Sequence, residues 1–224
     1  MNIFDIMGPV MVGPSSSHTA GAVKIGFISR QLLREEIQSA QLFLHGSFLA
    51  TGKGHGTDKA LIAGLLGMKP GDERIPYSLK IAGERGMSYT FSGIELRNVH
   101  PNSVMLKLQG VNGRKLELVA SSTGGGTIKI CRIDGVDVNI GADYPALIVH
   151  NVDKPGHVSA VTSLLGNYEV NIAAMQLYRD KRGENAVMVI ECDQEIPEEI
   201  FDRLKKLEGI AKITYLSLEE SNEF

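Results

Sequence analysis

The sequence is poor in cysteine and in aromatic residues. Its 224 residues include two cysteines, Cys131 and Cys192, and no tryptophan, and aromatic residues make up 6%. Two thiols are too few for a disulfide scaffold, or for a three- or four-cysteine metal cluster held by this chain alone. The scarcity of rings also argues against a stacking surface for nucleic acid. We expect no metal ligands in this chain and no nucleic-acid partner.

Long apolar runs and a targeting signal are also lacking. No apolar run approaches the roughly 18 residues of a membrane span, and the first five residues carry no basic side chain. With its unpaired cysteines, the chain is expected to be cytoplasmic and to have no membrane partner.

Charge is small in total but unevenly distributed. The net charge of −3 gives no general attraction to phosphate polymers. Residues 1–143 carry 15 basic and 12 acidic side chains, a net +3, whereas residues 144–224 carry 8 and 14, a net −6. The change of sign predicts two domains, 1–143 and 144–224.

The first domain is predicted to be α+β with a hairpin-rich sheet. Asn112-Gly113 and Asp134-Gly135 each lie between apolar runs, which is the strongest short signal for a β-hairpin. Before them, the patterns predict helices over 20–37, 59–66 and 77–85 and a short strand over 41–44.

The second domain is predicted to be a ferredoxin-like βαββαβ unit. Its predicted elements are, in order, a strand over 146–150, a helix over 158–165, strands over 170–178 and 186–192, a helix over 198–207 and a strand over 210–218.

Three segments of the first domain carry residues suited to chemistry. The first is GPSSSHT at 13–19, where Ser15, Ser16, Ser17 and His18 lead into a helix. Free N–H groups at a helix start, together with hydroxyls, bind a carboxylate or phosphate. The alternative is a plain N-cap with spare serines.

The second segment, 45–58, resembles a phosphate-binding loop but fails its spacing. Five residues separate Gly46 from Gly52, and a glycine follows Lys53. We place His55 on a loop before a helix, as an acid/base or anion partner; the alternative is a surface loop histidine. His45 fits a strand end better than a catalytic role.

The third segment combines His100-Pro101-Asn102 with SSTGGG at 121–126. Glycines that follow hydroxyl residues form a concavity lined by N–H groups, and a tight bend between strands is the competing interpretation.

Taken together, GPSSSHTAGA at 13–22, HGSFLATGKGHGTDKAL at 45–61, HPN at 100–102 and SSTGGG at 121–126 resemble the β component of the bacterial iron–sulfur L-serine dehydratases. Residues 144–224 resemble an ACT domain, an amino-acid-sensing module, through the loop at 151–157 and the strand opening at Asn171-Ile172.

The resemblance implies loss of water from L-serine and formation of pyruvate and ammonia. It implies a [4Fe–4S] cluster held by a separate alpha subunit, and a site on this chain with His18, His55 and His100 as catalytic residues. His55 is the preferred proton-transfer group. The implied substrate-binding residues are Ser15, Ser16, Ser17, Asn102, Ser122, Gly124 and Gly125.

For the ACT-like part, the resemblance implies an effector site and pairing with a second copy. The expected ligand is an amino acid or a monovalent cation, and dimerisation with an empty site is the alternative. The implied effector-binding residues are Asn151, Asp153, Gly156, His157, Asn171 and Ile172.

Two other functions stay open at the level of the sequence. One is a stand-alone amino-acid sensor without catalysis. The other is a regulatory scaffold that lends no residue to an active site.

Overall fold

The computed structural model describes residues 12–141, 144–179 and 181–217. The chain forms two compact units, a first that ends around Gly141 and a second that follows it. Among the described helices, none is both long and apolar enough to cross a membrane.

The first unit contains helices and one sheet. The helical elements are a π-helical segment Ser16–Gly21, α1 Ala22–Leu33, α2 Gly46–His55, α3 Thr57–Leu65, a 3-10 turn Ile75–Tyr77 and α4 Ser78–Glu84. The strands are β1 Ile37–His45, β2 Ser88–Gly93, β3 Asn102–Gly110, β4 Lys115–Gly124, β5 Thr127–Ile133 and β6 Val136–Ile140.

The six strands follow the order β2-β1-β3-β4-β5-β6, so the α+β fold with a hairpin-rich sheet is confirmed. Asn112-Gly113 joins antiparallel β3 and β4, and Asp134-Gly135 joins the neighbouring strands β5 and β6. Asp134 and Gly135 both have positive φ, 48° and 85°, as a type I′ hairpin turn requires.

The sequence patterns did not reveal β2. This strand pairs in parallel with β1, Ser39 opposite Ser88, and forms the edge of the sheet. Its six residues are exposed or half-buried, so it lacks the alternation of buried and exposed side chains that marks a half-buried strand.

Helices α1 and α3 touch backbone to backbone. A Cβ placed on Gly26 would lie 2.3 Å from the Leu61 carbonyl oxygen, and one placed on Gly64 would lie 2.1 Å from the Val23 carbonyl oxygen. Neither position has room for a side chain, so the two glycines set the distance between the helices.

Two sequence predictions about the first unit were wrong in detail. The helix predicted over 20–37 ends at Leu33, and Arg34 adopts a left-handed conformation. The Glu35 carboxylate accepts hydrogen bonds from the Asn112 and Arg114 N–H groups, which holds the chain at the β3–β4 turn as it enters β1. His55, predicted on a loop, is the last residue of α2.

The second unit has the predicted βαββαβ order. Its elements are β7 Ala146–Val152, α5 His157–Asn167, β8 Ile172–Arg179, β9 Asn185–Cys192, α6 Glu198–Leu204 and β10 Ile210–Leu216. The sheet order β10-β7-β9-β8 is ferredoxin-like, and a core of apolar side chains that includes Leu147, Val161, Ile190 and Phe201 is buried.

We predict that Gly26→Ala lowers the free energy of unfolding by about 1–3 kcal/mol, because the added methyl group forces α1 away from α3. Gly83→Ala is the matched control, since a Cβ there meets no atom within 4 Å. That control is expected to be neutral or to stabilise by up to about 1 kcal/mol. Urea unfolding measures both changes, and equal effects of the two substitutions would contradict the close helix contact.

Candidate active site

Helix α2 presents a row of polar side chains at intervals of four residues. Ser47, Thr51 and His55 share one side of the helix, because residues four apart lie above one another. Phe48 and Gly52 are buried, and Phe48 is 0% exposed. The buried phenyl ring anchors the helix and thereby fixes the direction of the polar row.

His18 lies against this row. Its Nε2 atom is 3.1 Å from Ser47 Oγ and 3.1 Å from Thr51 Oγ1, and its Nδ1 atom is 3.3 Å from Ser17 Oγ. The ring also packs edge-on against Phe48, with 5.3 Å between ring centroids. The buried imidazole is thus held on both of its nitrogens.

His55 stacks obliquely beside His18, with ring centroids 4.9 Å apart. Its Nδ1 atom is 3.0 Å from the Thr51 carbonyl oxygen. A carbonyl oxygen only accepts, so Nδ1 carries the proton and Nε2 of the neutral ring holds a lone pair. Among the described residues, no hydrogen bond engages His55 Nε2. This nitrogen has the state and the freedom that a general base needs.

The electrostatics differ at His18. Burial lowers the pKa of His18 below its ordinary value of 6.5, and a positive charge on His55 lowers it further. A hydrogen bond that involves the Ser47 backbone raises the pKa of His18 and is the weaker influence. The lowered pKa favours the neutral form of the His18 ring.

The predicted serine run forms the start of the helix that carries His18. Ser15 has an extended backbone and its Oγ accepts the His18 N–H at 3.1 Å, which is an N-cap. Ser16 is the first residue of the π-helical segment, and Ser17 Oγ lies 3.4 Å from Ser15 Oγ. The hydroxyls of Ser15 and Ser17 thus lie at the helix N-terminus beside His18, and the predicted binding role of the serine run stays a prediction.

The His100–Asn102 loop reaches the site through its backbone. The Pro101 carbonyl oxygen accepts the Ser47 N–H at 2.9 Å, and Asn102 forms an isolated β-bridge with Gly46. The exposed His100 ring instead accepts the Asn102 N–H on Nδ1 at 3.1 Å. Within the described residues, no hydrogen bond joins the His100 ring to His18 or His55.

The SSTGGG segment lies at the end of β4. Ser122 is fully buried and faces Gly21, where an added Cβ would lie 2.0 Å from its Oγ. Its hydroxyl has no hydrogen-bond partner among the residues that the structure describes. Gly124 and Gly125, with φ of 103° and 59°, form the turn into β5. Ser122 therefore borders the π-helical segment, while the two glycines are explained by the turn.

The described part of the chain does not offer the ligand set of an iron–sulfur cluster. In the described ranges 12–141, 144–179 and 181–217, no group of three or more His, Cys, Asp or Glu side chains is arranged to hold a metal. Cys192 is buried, which raises the pKa of its thiol to about 11 and disfavours the thiolate that a metal requires.

In the second unit, four of the six predicted effector residues belong to the segment from the end of β7 to the start of α5: Asn151, Asp153, Gly156 and His157. Asn151 is 3% exposed, and its Nδ2 donates to the Val152 carbonyl oxygen at 2.8 Å. Within the described part of the chain, its Oδ1 has no hydrogen-bond partner. Gly156 precedes α5, and His157 packs on Gly209. A buried oxygen acceptor therefore lies close in sequence to a helix start.

The other predicted effector residues have different positions. Asp153 accepts the Gly183 N–H at 3.0 Å and pairs with Arg179; these contacts lower the pKa of its carboxyl group and tie it to the β8–β9 turn. Ile172 pairs with Cys192 at one end of β9, whereas Val152 pairs with Asn185 at the other end. Asn171 and Ile172 thus lie at the opposite end of the sheet from Asn151.

Comparisons with known proteins give the family of this chain. A family model described as Serine dehydratase beta chain matches residues 2–84, and one described as ACT domain matches residues 146–209. The chain is 40% identical to "Probable L-serine dehydratase, beta chain" of Bacillus subtilis (strain 168) over 216 residues, which are 96% of this chain and 98% of the relative. This chain belongs to the family of L-serine dehydratase beta chains.

Two further relatives extend the comparison. "L-serine dehydratase, beta chain" of Peptoniphilus asaccharolyticus is 36% identical over 96% of this chain and 97% of its own length. "D-3-phosphoglycerate dehydrogenase" of Archaeoglobus fulgidus is 30% identical over 88% of this chain but only 37% of its own length. The resemblance drawn from the sequence motifs is confirmed, and residues 146–209 are an ACT domain.

Two residues of the site were missed by sequence reasoning. Ser47 and Thr51 both contact His18 Nε2, although neither was predicted as a site residue. Their signal is the spacing of Ser47, Thr51 and His55 at i, i+4 and i+8, which is visible only if the glycine-rich segment is interpreted as a helix.

The neutral state of His18 predicts a pH-dependent stability. Its pKa is lowered in the folded state, so as the pH falls below about 6.5 the unfolded chain takes up the proton first and the folded state loses stability. The loss levels off below the folded-state pKa. His18→Gln is expected to lose less unfolding free energy than the wild type between about pH 7 and pH 5. Parallel curves for the two proteins would contradict a depressed His18 pKa.

Proposed function

We propose that this chain is the beta component of an L-serine dehydratase that converts L-serine to pyruvate and ammonia together with an alpha subunit. The observation that carries the proposal is the His18–His55 pair, whose one open nitrogen lies beside a serine-rich helix start. The family membership supports the substrate. The proposal includes a substrate-handling domain over 1–143, a regulatory domain over 144–224 and a cytoplasmic setting, where Cys131 and Cys192 stay reduced.

The helix start is proposed to bind the substrate carboxylate. The segment 16–21 and α1 form one continuous helical run, and its free N–H groups and positive dipole end attract an anion. The hydroxyls of Ser15, Ser16 and Ser17 add donors, and Ser122, Gly124 and Gly125 complete the proposed pocket wall. This placement holds the α-carbon of serine near the histidine pair.

His55 is proposed as the base. Its Nε2 removes the α-proton of L-serine, the Cβ–O bond breaks, and the hydroxyl leaves as water once it has gained a proton, giving 2-aminoacrylate. This product tautomerises to an imine, which water hydrolyses to pyruvate and ammonia. His18 orients the site as a neutral ring, and His100 and Asn102 form a second polar contact.

The cluster is assigned to the alpha subunit. The family resemblance supports a [4Fe–4S] cluster there, and the described residues of this chain do not offer its ligands. The beta chain then contributes binding and proton transfer, and an assembled enzyme needs both chains.

The ACT domain is proposed to bind an amino-acid effector. The unpartnered, buried Asn151 Oδ1 suits an ammonium group, and the N–H groups at the start of α5, beside Gly156 and His157, suit a carboxylate. A monovalent cation on Asn151 Oδ1 is the second candidate ligand. Asn171 and Ile172 reach such a site only from a second copy, which is consistent with homodimerisation through the exposed sheet edges.

One test separates this proposal from the two alternative functions. The beta chain and its candidate alpha subunit are purified apart and mixed with L-serine, and pyruvate is measured. We expect pyruvate only from the mixture, whereas equal activity of the alpha subunit alone would support a sensor. A regulatory scaffold would instead keep full kcat when His18, His55 and His100 are substituted.

In the mixed enzyme, His55→Ala is expected to lower kcat by about a hundredfold or more, because a positioned base contributes on this scale. His45→Gln is the matched control: it removes a histidine from the same motif whose Nδ1 faces the backbone at Ile94 and Leu96. The control is expected to retain most of the activity. Near-wild-type turnover by His55→Ala would remove His55 from the chemistry.

For the ACT domain, calorimetry of the full-length chain with L-serine and with potassium chloride tests the ligand. Asn151→Ala is expected to weaken binding of the true ligand by about tenfold, the scale of one lost hydrogen bond to a charged group. Asn139→Ala is a control outside this domain. Equal affinity of wild type and Asn151→Ala for both ligands would exclude the proposed site.

A further inference from the structure

Thr51 contacts both histidines of the site through different atoms. Its hydroxyl lies 3.1 Å from His18 Nε2, and its carbonyl oxygen lies 3.0 Å from His55 Nδ1. Among the described residues, this is the one residue that joins the two rings by hydrogen bonds. Thr51 is exposed, so burial of apolar surface does not explain why a threonine occupies this position.

The Thr51 hydroxyl has one proton, and that proton is already engaged. It donates to the Ser47 carbonyl oxygen at 2.9 Å, within α2. The oxygen is then left with lone pairs only and can act toward His18 solely as an acceptor.

This favours one tautomer of His18. If His18 Nε2 were unprotonated, its lone pair would face the lone pairs of Thr51 Oγ1 at 3.1 Å. With the proton on Nε2, the ring donates to Thr51 Oγ1, with Ser47 Oγ also 3.1 Å away. The lone pair is then on Nδ1, where Ser17 Oγ donates at 3.3 Å.

The Thr51 carbonyl group favours the opposite tautomer on His55. Because it accepts the Nδ1 proton, the lone pair of His55 is on Nε2. One residue therefore holds two neighbouring rings in opposite tautomers: Nε2–H on His18 and Nδ1–H on His55. The histidine lone pair of this site that no hydrogen bond engages is the one on His55 Nε2.

We propose that Thr51 is a positioning residue that sets the proton positions of both histidines, so that a substrate proton is accepted by His55 and not by His18. The tautomer assignment stands on the geometry of this chain. Its consequence for turnover rests on the proposed dehydratase function, so the two are tested by separate measurements.

The first test is kinetic and uses the mixed enzyme. Thr51→Val removes the hydroxyl but keeps the β-branched shape and a similar helix propensity. We expect kcat to fall about tenfold with little change in the KM for L-serine, on the scale of one orienting hydrogen bond. Thr51→Ser, which restores a hydroxyl, is expected to lie within about twofold of the wild type.

Thr162→Val is the matched control. Thr162 also donates its hydroxyl proton to the carbonyl four residues earlier, Val158, at 3.0 Å, but it lies on α5 in the ACT domain. It loses the same kind of helix bond without touching a histidine of the site. The kcat of Thr162→Val is expected to be unchanged. An equal loss of kcat in Thr51→Val and Thr162→Val would show that Thr51 acts through helix stability alone.

The second test is spectroscopic and needs only this chain. Nitrogen-15 NMR of histidine-labelled protein separates protonated from unprotonated ring nitrogens, and His18→Gln and His55→Gln assign the signals. We expect Nε2–H on His18 and Nδ1–H on His55. In Thr51→Val, Ser47 becomes free to donate to Nε2, so His18 is expected to show a mixture of tautomers while His55 keeps Nδ1–H.

The proposal is overturned if wild-type His18 carries its proton on Nδ1, or if Thr51→Val leaves both the His18 tautomer and kcat unchanged. If the expected tautomers are found but the mixed chains form no pyruvate, the dehydratase function fails while the tautomer assignment stands.

Discussion

The burial of one side chain, Phe48, is the constraint on which the candidate site depends. Helix α2 contains glycine at 52 and 54 in its last turns, which cost about 2 kcal/mol together relative to alanine. Full burial of the Phe48 ring contributes about 2–3 kcal/mol and offsets that cost. Phe48 points inward and its ring packs against His18. Helix α2 is thereby oriented so that Ser47 and Thr51 also face the His18 ring. The helix and the geometry of the histidine pair thus have a common origin.

Elements that depend on local sequence signals could be predicted from the sequence, whereas elements that depend on tertiary packing could not. The two hairpins followed from local turn chemistry at Asn112-Gly113 and Asp134-Gly135, and the ACT domain from the order of its periodic segments. Helix α2 did not follow, because its three glycines predict a loop and only tertiary packing makes it helical. The strand β2 was missed because its side chains are largely exposed. The serine run and His18 were predicted as neighbours of an anion site, but the roles of Ser47 and Thr51 depend on a helix that local signals do not reveal.

The candidate site contains groups for substrate binding and proton transfer but lacks, among the described residues, the ligands of a metal. It offers a helix start for a carboxylate, a neutral orienting histidine and a histidine with an open nitrogen, but within the described residues it offers no metal ligands. In the proposed division of labour, proton transfer and electrophilic activation lie on different chains. Leu49, Thr51 and Lys53 on α2 are exposed. The ACT domain contains a separate candidate site at Asn151, whose Oδ1 has no hydrogen-bond partner among the described residues.

We propose that α2 and its histidine pair form the beta side of a site completed by the alpha subunit. The direct test is hydrogen–deuterium exchange of the full-length chain, measured by mass spectrometry with and without the purified alpha subunit. We expect slower exchange in peptides that cover residues 46–55 when the complex forms. Formation of the complex with unchanged exchange in these peptides would contradict a shared site.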